Sequence, residues 1–271
     1  MRTPIDDPND PRIGVFLGLR DHAARQKREL PGGDMASFFI AEGDLVIERA
    51  VHHGYRLRSV LIAARRTKPL PPEVGASEVF EASNDVLTEI TGRPELRDPL
   101  ACFDRPEESG VDELLTNHRT FAVLENVNNP NNLGVIMRNA AGLGIDAVLL
   151  DPTCGDPLYR RAVRASMGQV FAIPHARIDA FPEGLDLLHD RGITTVALSP
   201  SGEVDLRELE RPAKVAILLG AEGPGLTDAT LSAANVRARI DMAREVDSLN
   251  VANAAAIAFF HLTEKPPTTN N

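Results

Sequence analysis

The stretch Ile240 to Leu262, IDMAREVDSLNVANAAAIAFFHL, runs from the end of an apolar strand through a polar turn straight into an alanine-rich apolar helix. Ser248 and Asn250 are helix-capping residue types. A helix that starts beside them has backbone N–H groups free to hold a ligand. Strand, turn and capped helix is also the commonest joint of α/β proteins, so this stretch by itself points to a fold class and leaves function open.

Upstream the same alternation repeats. TFAVLENV from Thr120 reads as a buried strand, Leu133 to Leu143 as a helix, DAVLLD as a strand and Tyr159 to Val170 as a helix, with TTVALSP, KVAILLG and VRARID as further strands. Strands this apolar, separated by helices, imply a parallel sheet covered on both faces. In such sheets ligands bind beyond the C-terminal ends of the strands. Those ends carry ENVNNPNNLG, LSPSGE, LLGAEGPGL and the Asp241–Asn250 turn, so the unusual residues lie where a site belongs.

Nearer the start, Gly14 to Arg28 has helical spacing after a loose, proline-broken beginning. Ser37–Ala41 reads as a strand, Gly43–His53 as a helix and Leu57–Ala63 as a strand, the opening of a small α/β domain. Val79–Ala82 reads as a short strand and Asn84–Thr91 as a short helix. Between Pro106 and Asn117 the composition turns acidic and apolar periodicity is poor, which sets a boundary between domains at 1–117 and 118–271.

With 271 residues the chain is long enough to bury a good core in two domains. No stretch is long and apolar enough to span a membrane, and MRTPIDDPNDPR does not read as a signal peptide, so a cytoplasmic protein is expected. Cys102 and Cys154 stand far apart with no His or Cys at metal spacing, against a disulfide framework or a metal site. The net charge of −10 excludes coating of nucleic acid by bulk electrostatics. Local basic clusters remain, among them Arg56, Arg58, Arg65, Arg66 and Lys68, and then Arg160, Arg161 and Arg164.

Two further turns carry chemistry. Asn126-Val127-Asn128-Asn129-Pro130-Asn131-Asn132-Leu133-Gly134 joins a strand to a helix bearing Arg138 and Asn139. Asparagine, proline and glycine there make a tight turn and helix cap, while Arg138, less than two turns beyond Asn132, is suited to gripping a phosphate or carboxylate with its planar fork. Leu219-Gly220-Ala221-Glu222-Gly223-Pro224-Gly225-Leu226 is too glycine-rich for a helix and lets backbone approach a ligand closely. It matches neither the dinucleotide fingerprint nor the phosphate-binding loop.

Taken in order, the three turns resemble the motifs NPxNLGxxxR, LGxExxGL and IxMxxxxxSLNVxxA of the SpoU (TrmH-like) RNA ribose 2′-O-methyltransferases of the SPOUT superfamily, over about Thr120 to Leu262. DPLYRRAVRASMG between the first two is similar to the family as well. The resemblance implies an α/β catalytic domain with a deep C-terminal trefoil knot. FFIAEGDLVIERAV is similar to the ribosomal-protein-like substrate-binding domain that many members carry at their N-terminus. It also implies S-adenosyl-L-methionine as cofactor, rRNA or tRNA as substrate, a homodimer and no metal.

By position, the resemblance makes Arg138 the catalytic arginine, supported by Asn132, Glu222, Ser248 and Asn250, with Leu198, Gly220, Ile240 and Leu249 lining the cofactor pocket. Free guanidinium has a pKa above about 12, so binding phosphate and stabilising the developing 2′-oxyanion suits Arg138 better than acting as a literal base. Where many members have Pro and Gly, this chain has Asp241 and Arg244, and GRPELRDPLA replaces the family's glycine-histidine-arginine-glycine stretch in the N-terminal domain. Two other readings stay open here: an RNA-binding protein that keeps the knot without turnover, and a methyltransferase acting on a base or a small molecule. The apolar helices Leu133–Leu143 and Ser248–Leu262 are the candidates for a dimer interface.

Overall fold

Every strand expected above is present in the computed structural model, which describes residues 2–19, 21–29, 32–92, 97–244 and 246–264. The first elements are β1 (Arg2–Ile5), α1 (His22–Glu29), β2 (Phe38–Glu42), α2 (Asp44–His52), β3 (Leu57–Ala63), β4 (Glu78–Ala82), α3 (Asn84–Thr91) and β5 (Leu100–Asp104). There follow α4 (Val111–Asn117), β6 (Thr120–Leu124), α5 (Pro130–Gly142), β7 (Ala147–Leu150), α6 (Arg160–Ala165), β8 (His175–Arg177) and α7 (Asp186–His189). The chain closes with β9 (Thr194–Leu198), β10 (Val204–Asp205), β11 (Val215–Leu219), α8 (Asp228–Ala233), β12 (Val236–Arg239) and α9 (Val251–Leu262).

One compact unit comprises Met1–Glu107 together with Leu158–Phe171. Its sheet has the order β1-β4-β3-β5-β2, in which β1, β4 and β3 run parallel and β5 lies antiparallel to both of its neighbours. One core gathers Ile13, Phe16, Ile40, Leu61, Phe80 and Leu87. Phe39 stacks on Phe103 at 5.4 Å between ring centroids, and Tyr55 lies 4.8 Å from Phe171. At the end of β2, the buried Glu42 accepts from Arg160 at 2.8 Å and from Arg164 at 3.0 Å, which ties α6 to this unit.

The structure corrects the expected start. Residues 2–5 are not loose but form an edge strand, where Pro4 costs the sheet little because an edge position does not need its missing donor. The helix expected from Gly14 to Arg28 is a 3-10 turn, Pro11–Phe16, followed by the separate α1. Gly18 between them has a φ of 76°, outside any right-handed helix. The helix expected from Tyr159 to Val170 likewise stops at Ala165, because Met167 and Gly168 take φ of 56° and 77°.

The second unit, Glu108–Pro157 and Ala172–Asn271, holds a seven-stranded sheet of order β10-β12-β9-β11-β6-β7-β8 in which every pairing is parallel. The acidic stretch before it contains α4, which buries Leu114 and Leu115. On the other side α5 packs on α9 through small residues: Ala140 of α5, and Ala252, Ala255 and Ala258 of α9, are buried, as is Phe259. Alanines at this spacing let two helix backbones approach closely, which sets the entry of α9 against the entry of α5. No helix among the described residues is long and apolar enough to cross a membrane.

Candidate active site

Three turns of the second unit are joined by side-chain hydrogen bonds whose direction is fixed by one backbone amide. Asn250 caps α9, its Oδ1 accepting from the Ala252 N–H at 2.9 Å. A backbone N–H only donates, so the Asn250 amide nitrogen faces the other way and donates to Asn132 Oδ1 at 3.0 Å. Asn132 is thereby left with its own nitrogen to give, and it donates to Glu222 Oε2 at 2.8 Å. Residues 118 and 90 positions apart in sequence thus form one polar chain around an almost wholly buried Asn132.

Local structure explains each member. After β6 the chain turns at Asn126, whose φ of 54° suits asparagine better than most residues. Asn129 then caps α5 by accepting from Asn131 N at 2.9 Å, with Pro130 in the first turn. Glu222 sits in a loop that closes on itself, Gly225 N donating to Ala221 O at 3.0 Å. Any side chain at Gly220 would come within 2.1 Å of the Gly225 carbonyl carbon, so only glycine permits this closure.

Arg138 is exposed on α5 and makes no hydrogen bond or ion pair with a described residue. Its neighbour Asn139 donates to the Ala252 carbonyl at 2.9 Å, a second tie between α5 and the start of α9. Asn132 and Asn139, seven residues apart, share the helix face that meets α9. Ser248 is exposed two residues before the cap, and its side chain bonds to no described residue. Sequence reading pairs Ser248 with Asn250 as caps; Asn250 alone caps α9, because the chain is still non-helical at Ser248. The structure therefore joins Asn132, Glu222 and Asn250 directly, whereas Arg138 and Ser248 have no bond to that trio.

Leu198 ends β9, and Gly220 and Ile240 directly follow β11 and β12; the three strands are neighbours in the sheet, β9 lying between β12 and β11. Gly220 is buried, and Leu198, Ile240 and Leu249 are half-buried. Ser199 N donates to Ala238 O at 3.0 Å, and a Cβ at Gly202 would lie 2.4 Å from the Ala238 carbonyl carbon, so the turn after β9 lies flat on the end of β12. Half-buried aliphatic side chains over main-chain walls suit a flat purine with a polar tail, and these residues fit S-adenosylmethionine. Arg244, standing where many members have glycine, has a φ of 61°, so the turn keeps the left-handed backbone that a glycine would favour.

Residues 119–260 match the model of the SpoU rRNA methylase family. The chain belongs to that family. An uncharacterised tRNA/rRNA methyltransferase of Mycobacterium tuberculosis is 40% identical over 265 residues, covering 96% of this chain and 91% of the relative. The 23S rRNA (guanosine(2553)-2′-O)-methyltransferase of Bacillus subtilis is 27% identical over 224 residues, covering 83% of this chain and 88% of that enzyme. An AdoMet-bound rRNA methyltransferase from Sinorhizobium meliloti superposes with a TM-score of 0.79 at 26% identity, covering 96% and 97% of the two chains.

Sequence reading of this SpoU family member missed the support beneath the turns. Glu125, buried at the end of β6, accepts from Thr227 N at 2.9 Å, Thr227 Oγ1 at 2.8 Å and Thr230 Oγ1 at 2.9 Å, linking the Asn-rich turn to the end of the Glu222 loop. A lone glutamate closing an apolar strand was the available signal, since a buried carboxylate requires partners. Arg177 on β8 braces the other side, donating to the carbonyls of Asp151, Cys154 and Gly155 at 3.0–3.1 Å. Burial pushes the Cys154 thiol up to about 12, with the nearby Asp151 carboxylate acting in the same direction, so it is uncharged at neutral pH. It serves instead as a packing group that accepts from Val127 N at 3.3 Å.

Proposed function

We propose that this chain transfers a methyl group from S-adenosylmethionine to a ribose 2′-hydroxyl of rRNA or tRNA. The observation that carries the reading is the Asn250–Asn132–Glu222 chain, which welds three family turns together at the start of a helix whose Arg138 has no partner among the described residues. The cofactor supplies an electrophilic methyl group on a sulfonium, and Leu198, Gly220, Ile240 and Leu249 are the residues that would hold it. Arg138 binds the phosphate next to the target ribose and stabilises the 2′-oxygen as its proton leaves. Asn132, Glu222 and Asn250 hold the turns in one arrangement before substrate arrives, so little reorganisation is needed during reaction. Ser248 and Leu249 complete the wall at the entry to α9.

The same reading takes residues 1–117 as the ribosomal-protein-like domain that selects RNA and 118–271 as the catalytic domain, working in the cytoplasm. Within the latter we infer the deep trefoil knot, supported by the parallel order in which β12 inserts beside β9 before α9 returns to α5. A homodimer is supported by an exposed apolar patch on α9: Phe260 is 79% and Ile257 43% exposed, beside a groove of about 430 Å³ that Leu143 and Leu206 also line. Light scattering should give twice the chain mass for the wild type and a single mass for Phe260→Glu; a monomeric wild type at micromolar concentration removes the dimer. The methyl-transfer assay is the direct test of the activity: labelled S-adenosylmethionine, the purified chain, and rRNA and tRNA as acceptors, with the labelled nucleoside then identified.

A further inference from the structure

Two walls of the candidate cofactor pocket, the turn after β9 and the residues after β12, are tied together by one side chain that the chemistry above does not use. Arg239 is the last residue of β12, and Ile240 follows it directly. Its Nη1 donates to the carbonyls of Gly202 at 3.2 Å and Glu203 at 2.8 Å, both in the turn that follows Leu198. Its Nε donates to Asp241 Oδ1 at 2.6 Å. One planar guanidinium thus spans from the turn after β9 to the residue on the far side of Ile240.

The backbone explains why that turn lies within reach. Glu203 N donates to Arg237 O at 2.9 Å, and β10 pairs with β12 in parallel, Val204 opposite Ala238 and Asp205 opposite Arg239. A Cβ at Gly202 would lie 2.7 Å from Arg239 N, so the chain crosses the end of β12 with no room for a side chain. As an ion pair alone, Arg239 with Asp241 explains little: the two side chains are 33% and 50% exposed, and exposed pairs add little to stability. Connectivity distinguishes it from the neighbouring pair of Arg237 with Glu203. Arg237 meets a side chain, whereas Arg239 meets two main-chain carbonyls and the residue beyond Ile240. The hydrogen bond from Arg239 holds the Asp241 carboxyl below the usual range, so the bond is charge-assisted at neutral pH.

We propose that Arg239 is a positioning residue for S-adenosylmethionine: by gripping the Gly202–Glu203 main chain and Asp241 together, it sets the gap between Leu198 and Ile240 before the cofactor arrives. This role rests on the methyl-transfer reading and adds to it the part that holds two pocket walls in register. Arg239 acts through the main chain, and a pocket preset in this way loses little freedom when the ligand binds.

The test uses the full chain, with S-adenosylmethionine affinity by calorimetry, melting temperature and steady-state methyl transfer to RNA measured on the same samples. Arg239→Met keeps most of the stem and loses all three bonds. It should bind cofactor about tenfold more weakly, the scale of having to order one or two side chains on binding. KM for S-adenosylmethionine should rise by the same factor, while kcat at saturating cofactor and KM for RNA change less than about twofold. Melting temperature should stay within about 2 °C of the wild type. Asp241→Ala should weaken cofactor binding by less than Arg239→Met, and Asp241→Asn should recover most of that loss, because its amide oxygen still accepts from Nε. Adding Asp241→Ala to Arg239→Met should cost no further affinity, since the aspartate acts only through the arginine. The control Arg237→Met removes the exposed pair with the Glu203 side chain and should change cofactor affinity less than about twofold.

Unchanged cofactor affinity in Arg239→Met, an equal loss in Arg237→Met, or additive losses in the double variant overturns the positioning role; the methyl-transfer reading stands as long as the wild type binds cofactor and methylates RNA. Weaker binding that comes with a lower kcat at saturating cofactor and a melting temperature lowered by more than about 5 °C makes Arg239 a part of the fold only, and also overturns the role. If the wild type binds no S-adenosylmethionine, the pocket assignment falls and this role falls with it. Should Arg239→Met fail to fold, the Asp241 variants decide: a loss in Asp241→Ala recovered by Asp241→Asn supports the role, and wild-type affinity in both overturns it.

Discussion

Asn132 accepts on one amide atom and donates on the other, so a carboxylate of the same shape cannot replace it. Asn132→Asp sets an acceptor against Glu222 and should cost about 1–3 kcal/mol of stability, with turnover reduced at least tenfold. Adding Glu222→Gln supplies a new donor, so the double variant should be more stable than the sum of the two single losses; additive penalties in thermal melts would show that the bond contributes nothing. Arg138→Ala should leave cofactor affinity nearly unchanged and lower the rate by about 10²-fold or more, the scale of losing one preorganised donor. Arg138→Lys should recover only part of that, since it keeps the charge without the planar fork. Near-normal methylation by the alanine variant removes Arg138 from the mechanism. A purely structural arginine, paired with a carboxylate on the helix surface, has no support, because no described residue pairs with it.

Among the elements, the joints matter more than the strands. Glu125 holds β6 to the start of α8 through three donors, so Glu125→Gln, which turns one acceptor into a donor facing other donors, should lower stability by about 1–3 kcal/mol. Cofactor affinity should fall with it, because the Glu222 loop ends at Thr227; calorimetry on the folded variant checks this, and an unchanged affinity would separate the brace from the site. The central strands of the second sheet and the long helices were legible in the sequence because continuous apolar runs and alanine spacing leave few alternatives, whereas β5, an interior strand of the first sheet, was not read. β1, β8 and β10, of two to four residues, were not, because strands so short at sheet edges carry too little pattern. Helix breaks at Gly18 and at Met167–Gly168 were equally hidden, since helical spacing continues through them while the backbone does not. In the site, the types Asn132, Glu222 and Asn250 were readable, but their hydrogen-bond order was not: it depends on Asn250 turning its oxygen to Ala252, a detail of cap geometry. Glu125 and Arg177 escaped because their partners are backbone groups and threonines distant in sequence.

Across the whole molecule, acid sensitivity follows from carboxylates held ionised. Burial alone would raise Asp44, but hydrogen bonds from Lys68 and Arg66 outweigh it and hold its carboxyl below the usual range. Burial acts the same way on Asp146, outweighed by the backbone N–H groups of Arg119 and Thr120, which donate to it at 2.9 Å. A carboxyl lowered in the folded state contributes stability that is complete above its unfolded value, about 3.9, and is lost as pH falls through the folded value. Melting temperature should therefore be insensitive to these two groups near neutrality and drop below about pH 4; Asp146→Asn should make the acid limb shallower. An acid limb identical in the variant would remove Asp146 from that account. The activity itself is tested most directly by the fate of the methyl group. A ribose methylated on its 2′-oxygen has lost the nucleophile of alkaline cleavage, so label transferred from S-adenosylmethionine to rRNA or tRNA should survive alkali in a dinucleotide and be released as a 2′-O-methylnucleoside on enzymatic digestion. Label found on a base, or no transfer to either RNA by cofactor-competent protein, would contradict ribose methylation by this chain.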